Sequence, residues 1–188
     1  MVTVLYPFDG SASDLTGYAS GTLFGISTPY YHSNAYIGTQ ALLVTPSNTQ
    51  YVQIPYINLA QQSFTLQMWL YVSGSISIPG EIGVFSQCDS YQICLLLTLR
   101  NARITLSFDA MNTNNNTLIG STVFGPNTWY HVTIVYDAVL FQQFMYINGK
   151  IDALSRGMVS AYQGSSSRSV TTIGRSYSFA GGTTYFNG

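Results

Sequence analysis

Carboxylates are the side chains of this 188-residue chain from which acid–base chemistry would first be expected. Retaining glycoside hydrolysis needs two of them about 5 Å apart, one as nucleophile and one as acid and base. Glu81 is the only glutamate, and its stretch "IPGEIGVF" holds no second carboxylate. Asp137 and Asp152 lie where strands end or turn, which favours a turn-capping role. We therefore expect no enzyme activity and assign no catalytic residue.

Two aspartates near the N-terminus suggest cation binding instead. Ca²⁺ takes six to eight oxygens from carboxylates, backbone carbonyls and amide side chains. The stretch "FDGSASDLTG" offers Asp9 and Asp14 with nearby carbonyls, so we predict both as candidate calcium ligands. The alternative is that each aspartate caps a turn by accepting a hydrogen bond from a backbone N–H two residues on.

The cysteines predict a disulfide rather than a zinc site. The chain has two His and two Cys and no Cys-x-x-Cys spacing. Cys88 and Cys94 flank a short turn-like stretch, "CDSYQIC", between two apolar runs. A cross-strand bridge in a hairpin fits this spacing, because facing Cα atoms lie near bridging distance. The alternative is two free buried thiols.

Glycan binding needs aromatic platforms for sugar faces and amide or hydroxyl partners for sugar hydroxyls. Several predicted loops carry such aromatics: Tyr30, Tyr31, Tyr36, Tyr162, Tyr177, Phe179 and Tyr185. Tyrosine-rich loops also bind proteins. The ligand residues therefore stay unassigned at this level.

Charge is scarce, at 7% of residues against about 25% in an average soluble protein. A net charge of −1 with no basic cluster argues against nucleic acid and against anionic membranes. The longest apolar run, "ICLLLTL", has the length of a strand rather than of a membrane span. Asn115 begins the one glycosylation sequon, "NNT", which would be used if the protein is secreted.

The elements that must position these residues are strands throughout. In "FTLQMWLYV" Phe64 and alternate apolar residues share one face, while Thr65, Gln67, Trp69 and Tyr71 share the other. "WYHVTIVYD" alternates in the same way, and "FMYINGKID" is a hairpin around Asn148-Gly149. Many short strands separated by turns predict a single all-β domain over residues 1–188, a two-sheet antiparallel β-sandwich of jelly-roll type.

Four segments in order resemble the laminin-G-like domains of the concanavalin A-like lectin/glucanase superfamily. They are "LYPFDGSASDLTGYASG", "YVQIPYINLAQQSFTLQMWLYV", "NTWYHVTIVYDAVLFQQFMYINGKID" and "TTIGRSYSFAGGTTYFNG". The resemblance implies a structural role for His131 within the Trp-x-His-Val segment. It also implies a closing strand after Phe-Asn-Gly, so we expect the sandwich to lack its last strand, which would follow residue 188 or come from another chain.

Two classes of function follow. The resemblance implies a non-catalytic, secreted recognition or adhesion module that binds a glycan or an extracellular protein, with calcium assistance. The alternative is a structural subunit whose N-terminal strand, "VTVLYPF" at residues 2–8, is an uncharged free edge that pairs with a strand of another chain. Neither class involves nucleic acid or membrane insertion.

Overall fold

The computed structural model describes residues 4–26, 30–74, 76, 80–89, 93–108, 116–156, 159–164, 169–178 and 182–188. Within them lie a 3-10 turn at Pro46–Asn48 and fifteen strands. The strands are β1 (Thr22–Phe24), β2 (Tyr31–His32), β3 (Ala41–Leu42), β4 (Tyr51–Ile54), β5 (Phe64–Tyr71), β6 (Glu81–Cys88), β7 (Cys94–Arg100), β8 (Arg103–Phe108), β9 (Thr117–Ile119), β10 (Trp129–Asp137), β11 (Gln142–Ile147), β12 (Lys150–Ser155), β13 (Val170–Ile173), β14 (Arg175–Tyr177) and β15 (Thr183–Tyr185).

Two antiparallel sheets form the sandwich, as predicted. One has seven strands in the order β1-β4-β13-β6-β7-β8-β9, and the other has four in the order β12-β11-β10-β5. Two short ribbons, β14-β15 and β2-β3, complete the described strands. The all-β prediction is confirmed. None of the described helical segments has the length and apolarity needed to cross a bilayer.

The core lies between the inner faces of the two sheets. Leu95, Leu97 and Leu99 of β7 are buried from one side, and Val132 and Ile134 of β10 are buried from the other. Each belongs to the apolar half of an alternating strand, because side chains two residues apart point to the same face. The predicted core face of β5 is also confirmed, since Phe64, Leu70 and Val72 are buried.

Two hairpins are fixed by local features, one by its turn residues and the other by a disulfide. The β11–β12 turn holds Asn148 at φ 51° and Gly149 at φ 77°, the left-handed conformations that a two-residue hairpin turn requires. Asn148 Oδ1 accepts a hydrogen bond from the N–H of His131 at 2.9 Å, which ties this turn to β10. The β6–β7 connection carries the predicted disulfide, because Cys88 faces Cys94 in register and is bonded to it. Asn115 lies outside the described residues.

The described part of the N-terminal segment does not form the edge strand predicted over residues 2–8. Its described part, residues 4–8, belongs to no strand. The N–H of Leu5 donates to Asp14 Oδ1 at 2.8 Å, and its carbonyl accepts from the N–H of Leu15 at 2.9 Å. Pro7 has no N–H to donate, and Phe8 has a φ of 53°, which interrupts an extended run. The prediction was wrong because these local bonds take the place of a ladder.

The C-terminal residues lie at the edge of the four-stranded sheet. Gly188 exchanges two backbone hydrogen bonds with Val44, at 2.8 and 3.1 Å. The carbonyl of Asn187 accepts from the N–H of Ser73, just beyond β5, at 2.9 Å. β5 is an edge strand, with β10 as its one neighbour in the described sheet. The expectation of a missing last strand stays a prediction.

Core packing predicts unequal costs for two similar truncations on the seven-stranded sheet. Leu97→Ala should lower the free energy of unfolding by about 2–5 kcal/mol, because Leu97 is fully buried between the sheets. Val170→Ala should cost well under that amount, because Val170 is partly exposed on the outer face. Urea unfolding of both variants measures the difference. Equal losses would show that the assignment of inner and outer faces is wrong.

Candidate functional site

The outer face of the four-stranded sheet brings together both tryptophans of the chain. Alternation in β5 sends Trp69 and Tyr71 away from the core, and alternation in β10 does the same for Trp129 and His131. The register then pairs Trp69 with His131 and Tyr71 with Trp129 across the two strands. Residues opposite each other in an antiparallel pair share a face, so these four rings lie side by side.

A fifth ring comes from the loop before β3. Tyr36 stacks on Trp69 with ring centroids 3.6 Å apart and lies 6.3 Å from Trp129. Trp69 contacts His131 at 5.0 Å, and Tyr71 contacts Trp129 at 5.3 Å. We call Tyr36, Trp69, Tyr71, Trp129 and His131 the aromatic cluster. The Tyr36 side chain is 55% exposed, so the cluster presents ring surface to a ligand.

A small cleft with polar and apolar walls adjoins the aromatic cluster. Its volume is about 170 Å³, and Tyr71 and Trp129 form part of its wall. His32, Asn34 and Ser73 also line it and carry imidazole, amide and hydroxyl groups able to bond sugar hydroxyls. Aromatic surface beside convergent polar groups is the arrangement that small-ligand sites use.

The next row of the same face is polar. Gln67 of β5 stands opposite Thr133 of β10, which in turn stands opposite Tyr146 of β11. This polar row (Gln67, Thr133 and Tyr146) follows directly after the Trp69–His131 pair along the strands. Beyond it the face becomes apolar again at Val135 and Phe144.

Asp14 is a buried turn cap. Its Oδ1 accepts from the backbone N–H groups of Leu5 and Thr16, and its Oδ2 accepts from the Thr16 hydroxyl and from the N–H groups of Tyr18 and Ala19, all at 2.6–3.0 Å. Burial opposes ionisation of the carboxyl, but these hydrogen bonds outweigh it and hold the pKa of Asp14 well below its usual range. Asp14 therefore joins the N-terminal segment to the loop that follows it.

Asp9 caps a second loop. Its Oδ1 accepts from the hydroxyl and N–H of Thr39 and from the N–H of Gln40. The hydrogen bond from the Thr39 hydroxyl, with the backbone bonds and against the effect of burial, lowers the pKa of Asp9. Asp9 is thus tied to the loop that also carries Tyr36.

These contacts favour the turn-capping alternative for both aspartates. A cation at Asp14 would have to displace N–H donors that already fill both oxygens. Within the described residues, no three His, Cys, Asp or Glu side chains lie close enough to hold a metal ion. Calcium binding through Asp9 and Asp14 stays a prediction.

Three further acidic side chains, Asp137, Asp152 and Glu81, accept hydrogen bonds from the protein. Asp137 Oδ1 accepts from the N–H groups of the turn that follows it, at 2.8 and 3.0 Å. Asp152 accepts from the N–H groups of Ser121 and Thr122, both at 2.9 Å. Glu81 Oε2 accepts from the Ser178 hydroxyl at 2.8 Å. The expectation that the chain is not an enzyme stays a prediction.

The aromatic residues predicted in loops lie in different parts of the structure. Tyr36 joins the aromatic cluster, whereas Tyr162 is fully buried and donates to the carbonyl of Gln87 at 2.8 Å, which removes it from ligand contact. Tyr177 packs beside the disulfide on the other sheet. Tyr185 lies 6.4 Å from Tyr51 on that sheet, and Tyr30 donates to a loop carbonyl. Tyr31 begins β2, and Phe179 lies outside the described residues.

Comparison with known proteins identifies the family. Residues 46–188 match the Laminin_G_3 model, described as concanavalin A-like lectin/glucanases superfamily. This chain belongs to the Laminin_G_3 family. A search of curated protein sequences found no match.

Solved structures share the fold of this Laminin_G_3 domain at low sequence identity. Domain 4 of AbnA, an extracellular GH43 arabinanase from Geobacillus stearothermophilus, was solved with arabinotriose; it aligns at TM-score 0.70 and 17% identity over 90% of this chain and 81% of that one. Tailspike protein 2 of bacteriophage CBA120 aligns at 0.58 and 16% over 89% of this chain and 27% of that one. The botulinum neurotoxin serotype D binding domain aligns at 0.53 and 16% over 90% and 47%.

The lowered pKa of Asp14 predicts an acid-labile N-terminal loop. A carboxyl whose pKa is lower in the folded than in the unfolded chain stabilises fully above its unfolded pKa, near 3.8, and loses that contribution as pH falls toward the folded value. Thermal melts between pH 7 and pH 2 should therefore show a falling Tm below about pH 4. Asp14→Asn should lower Tm at pH 7 and flatten this dependence. Parallel curves for the two proteins would contradict the capping role.

Proposed function

We propose that this Laminin_G_3 domain is a non-catalytic, extracellular recognition module that binds glycan at the aromatic cluster. The observation that carries the proposal is the juxtaposition of Tyr36, Trp69, Tyr71 and Trp129 with a cleft that carries the polar groups of His32, Asn34 and Ser73. Apolar sugar faces pack on aromatic rings, while amide and hydroxyl groups bond the sugar hydroxyls. The arabinotriose bound to domain 4 of the arabinanase supports the same class of ligand.

Secretion is part of this proposal. Disulfides persist in oxidising compartments, and the Cys88–Cys94 bridge closes a hairpin at one end of the seven-stranded sheet. The structurally similar arabinanase domain comes from an extracellular enzyme. We therefore propose that the protein acts outside the cytosol, with glycans or other extracellular proteins as its partners.

Removal of Trp69 tests the glycan site. A glycan array followed by calorimetry should show that Trp69→Ala weakens binding by about thirtyfold, because a central aromatic anchor contributes roughly 2 kcal/mol. Phe24→Ala is the matched control, since Phe24 also stacks on a neighbouring ring, Tyr51, but on the other sheet. Binding that Phe24→Ala reduces and Trp69→Ala leaves intact would place the site elsewhere. An array without signal would count against glycan recognition.

Calcium assistance can be tested in the same titrations. Affinity measured with added calcium and again with EDTA should differ if a cation orders the loops held by Asp9 and Asp14. Asp9→Asn should then remove the difference between the two buffers. Equal affinities in both buffers would remove calcium from the proposal.

The free edge of β5 favours strand complementation as a second candidate function. β5 is an edge because it has a strand on one side only in the described sheet. This edge is a different one from the predicted N-terminal edge. The cleft lies at the end of this edge, where Tyr71 and Gly188 line it, and edge backbone groups are a template for an incoming strand.

Strand complementation and glycan binding would use the same cleft. Sedimentation velocity at rising protein concentration should show oligomers if neighbouring copies complement β5, and a saturating glycan should dissociate them. A monomer at all concentrations would exclude complementation by a second copy. Oligomers that persist with bound glycan would show that the two functions use separate surfaces.

A further inference from the structure

We infer that the site takes a neutral glycan chain lying lengthwise over the four-stranded sheet. The chain would start on the aromatic cluster and continue over the polar row of Gln67, Thr133 and Tyr146. This inference rests on the proposed glycan function and adds the class of ligand and its direction. Three observations support it: the charge of the face, its polar row and the covered middle of the opposite sheet.

The outer face of the four-stranded sheet offers almost no charge to a ligand. Among its described residues Asp137 is acidic, and its Oδ1 caps the β10–β11 turn at the far end from Trp129. Lys150 lies on the β12 edge, three strands from Trp69, and its register opposite Ile147 gives it the parity of the inner face. Uronate, sulfate or sialate groups are recognised by Arg and Lys donors. The face therefore suits an uncharged sugar.

The polar row continues the site beyond one sugar. Residues two apart on a strand are separated by about 6.8 Å, so Gln67 lies one such step from Trp69. Gln67 is exposed, and Thr133 and Tyr146 are partly exposed beside it. Together they present an amide and two hydroxyls across three strands. A ligand limited to the aromatic cluster and its cleft would leave these groups unused.

The middle of the opposite sheet is covered by the protein itself. The β14–β15 ribbon packs across its outer face at Gly83, where a Cβ would come within 2.3 Å of the Ser176 nitrogen. Ser86 and Leu96 on that face are buried, although their register gives them the outward parity. The middle of this face is therefore covered, whereas the polar row of the four-stranded sheet is exposed or partly exposed.

Calorimetry with chain-length series tests the inference. The neutral probes are arabino-oligosaccharides and cello-oligosaccharides, each as di- and hexasaccharide, and the anionic probes are oligogalacturonates of the same lengths. The hexasaccharide of a neutral series should bind more tightly than its disaccharide, with little dependence on salt. Gln67→Ala should weaken the hexasaccharide roughly three- to tenfold and leave the disaccharide unchanged. Gln53→Ala, on the outer parity of the other sheet, is the matched control.

The outcomes separate this inference from the proposed function. Equal affinity for both lengths, with binding lost in Trp69→Ala, would overturn the lengthwise site and leave glycan recognition standing. Tighter, salt-sensitive binding of oligogalacturonates would overturn the neutral class. Binding of no probe, together with a dimer in sedimentation that Tyr146→Ala dissociates, would assign the face to a second copy and remove both proposals. Gln67→Ala keeps its fold if its melting curve matches that of Gln53→Ala.

Discussion

The antiparallel register between β5 and β10 is the constraint on which both the core and the candidate site depend. Tyr136 stands opposite Phe64, and both side chains enter the core. The adjacent pair, Val135 and Thr65, faces outward. A slip of one residue would exchange the two faces of either strand. It would bury Trp69 and expose Met68, which packs against the core in the observed register. Packing of the apolar halves thus determines where the aromatic rings stand.

The alternation within each of these two strands predicts which side chains face the core, but it does not predict which strands pair. Period two in "FTLQMWLYV" separated Trp69 and Tyr71 from the core residues without any structural information. The pairing of β5 with β10 was not available from either strand alone, because it joins residues about sixty positions apart. The sequence analysis therefore did not predict the aromatic cluster. It named aromatic residues of the loops as candidate ligand contacts, whereas four of the five rings lie on the sheet face. Two tryptophans at outward positions of alternating strands were the signal that could have found it.

Local sequence was least informative where side chains bond the backbone. "VTVLYPF" alternates like a strand, yet its described residues are held by Asp14 and Leu15 instead of by a ladder. The same carboxylate explains why Asp14 resembled a metal ligand, since a group that gathers backbone N–H donors and one that gathers a cation both need oxygens at a turn. Only the positions of the donors distinguish the two roles. The hairpin at Asn148-Gly149 and the Cys88–Cys94 pair were predictable because both depend on short-range geometry.

Gly83 is the position at which the outer faces of the two sheets come to differ, because a ribbon packs on one sheet there. The β14–β15 ribbon rests on this position because it lacks a side chain, and the sheet beneath is sealed by the protein's own backbone. Any larger residue there would lift the ribbon and uncover a second sheet surface of different composition. A substitution at this one position would therefore change the outer face of one sheet, while the inner faces that form the shared core keep their composition.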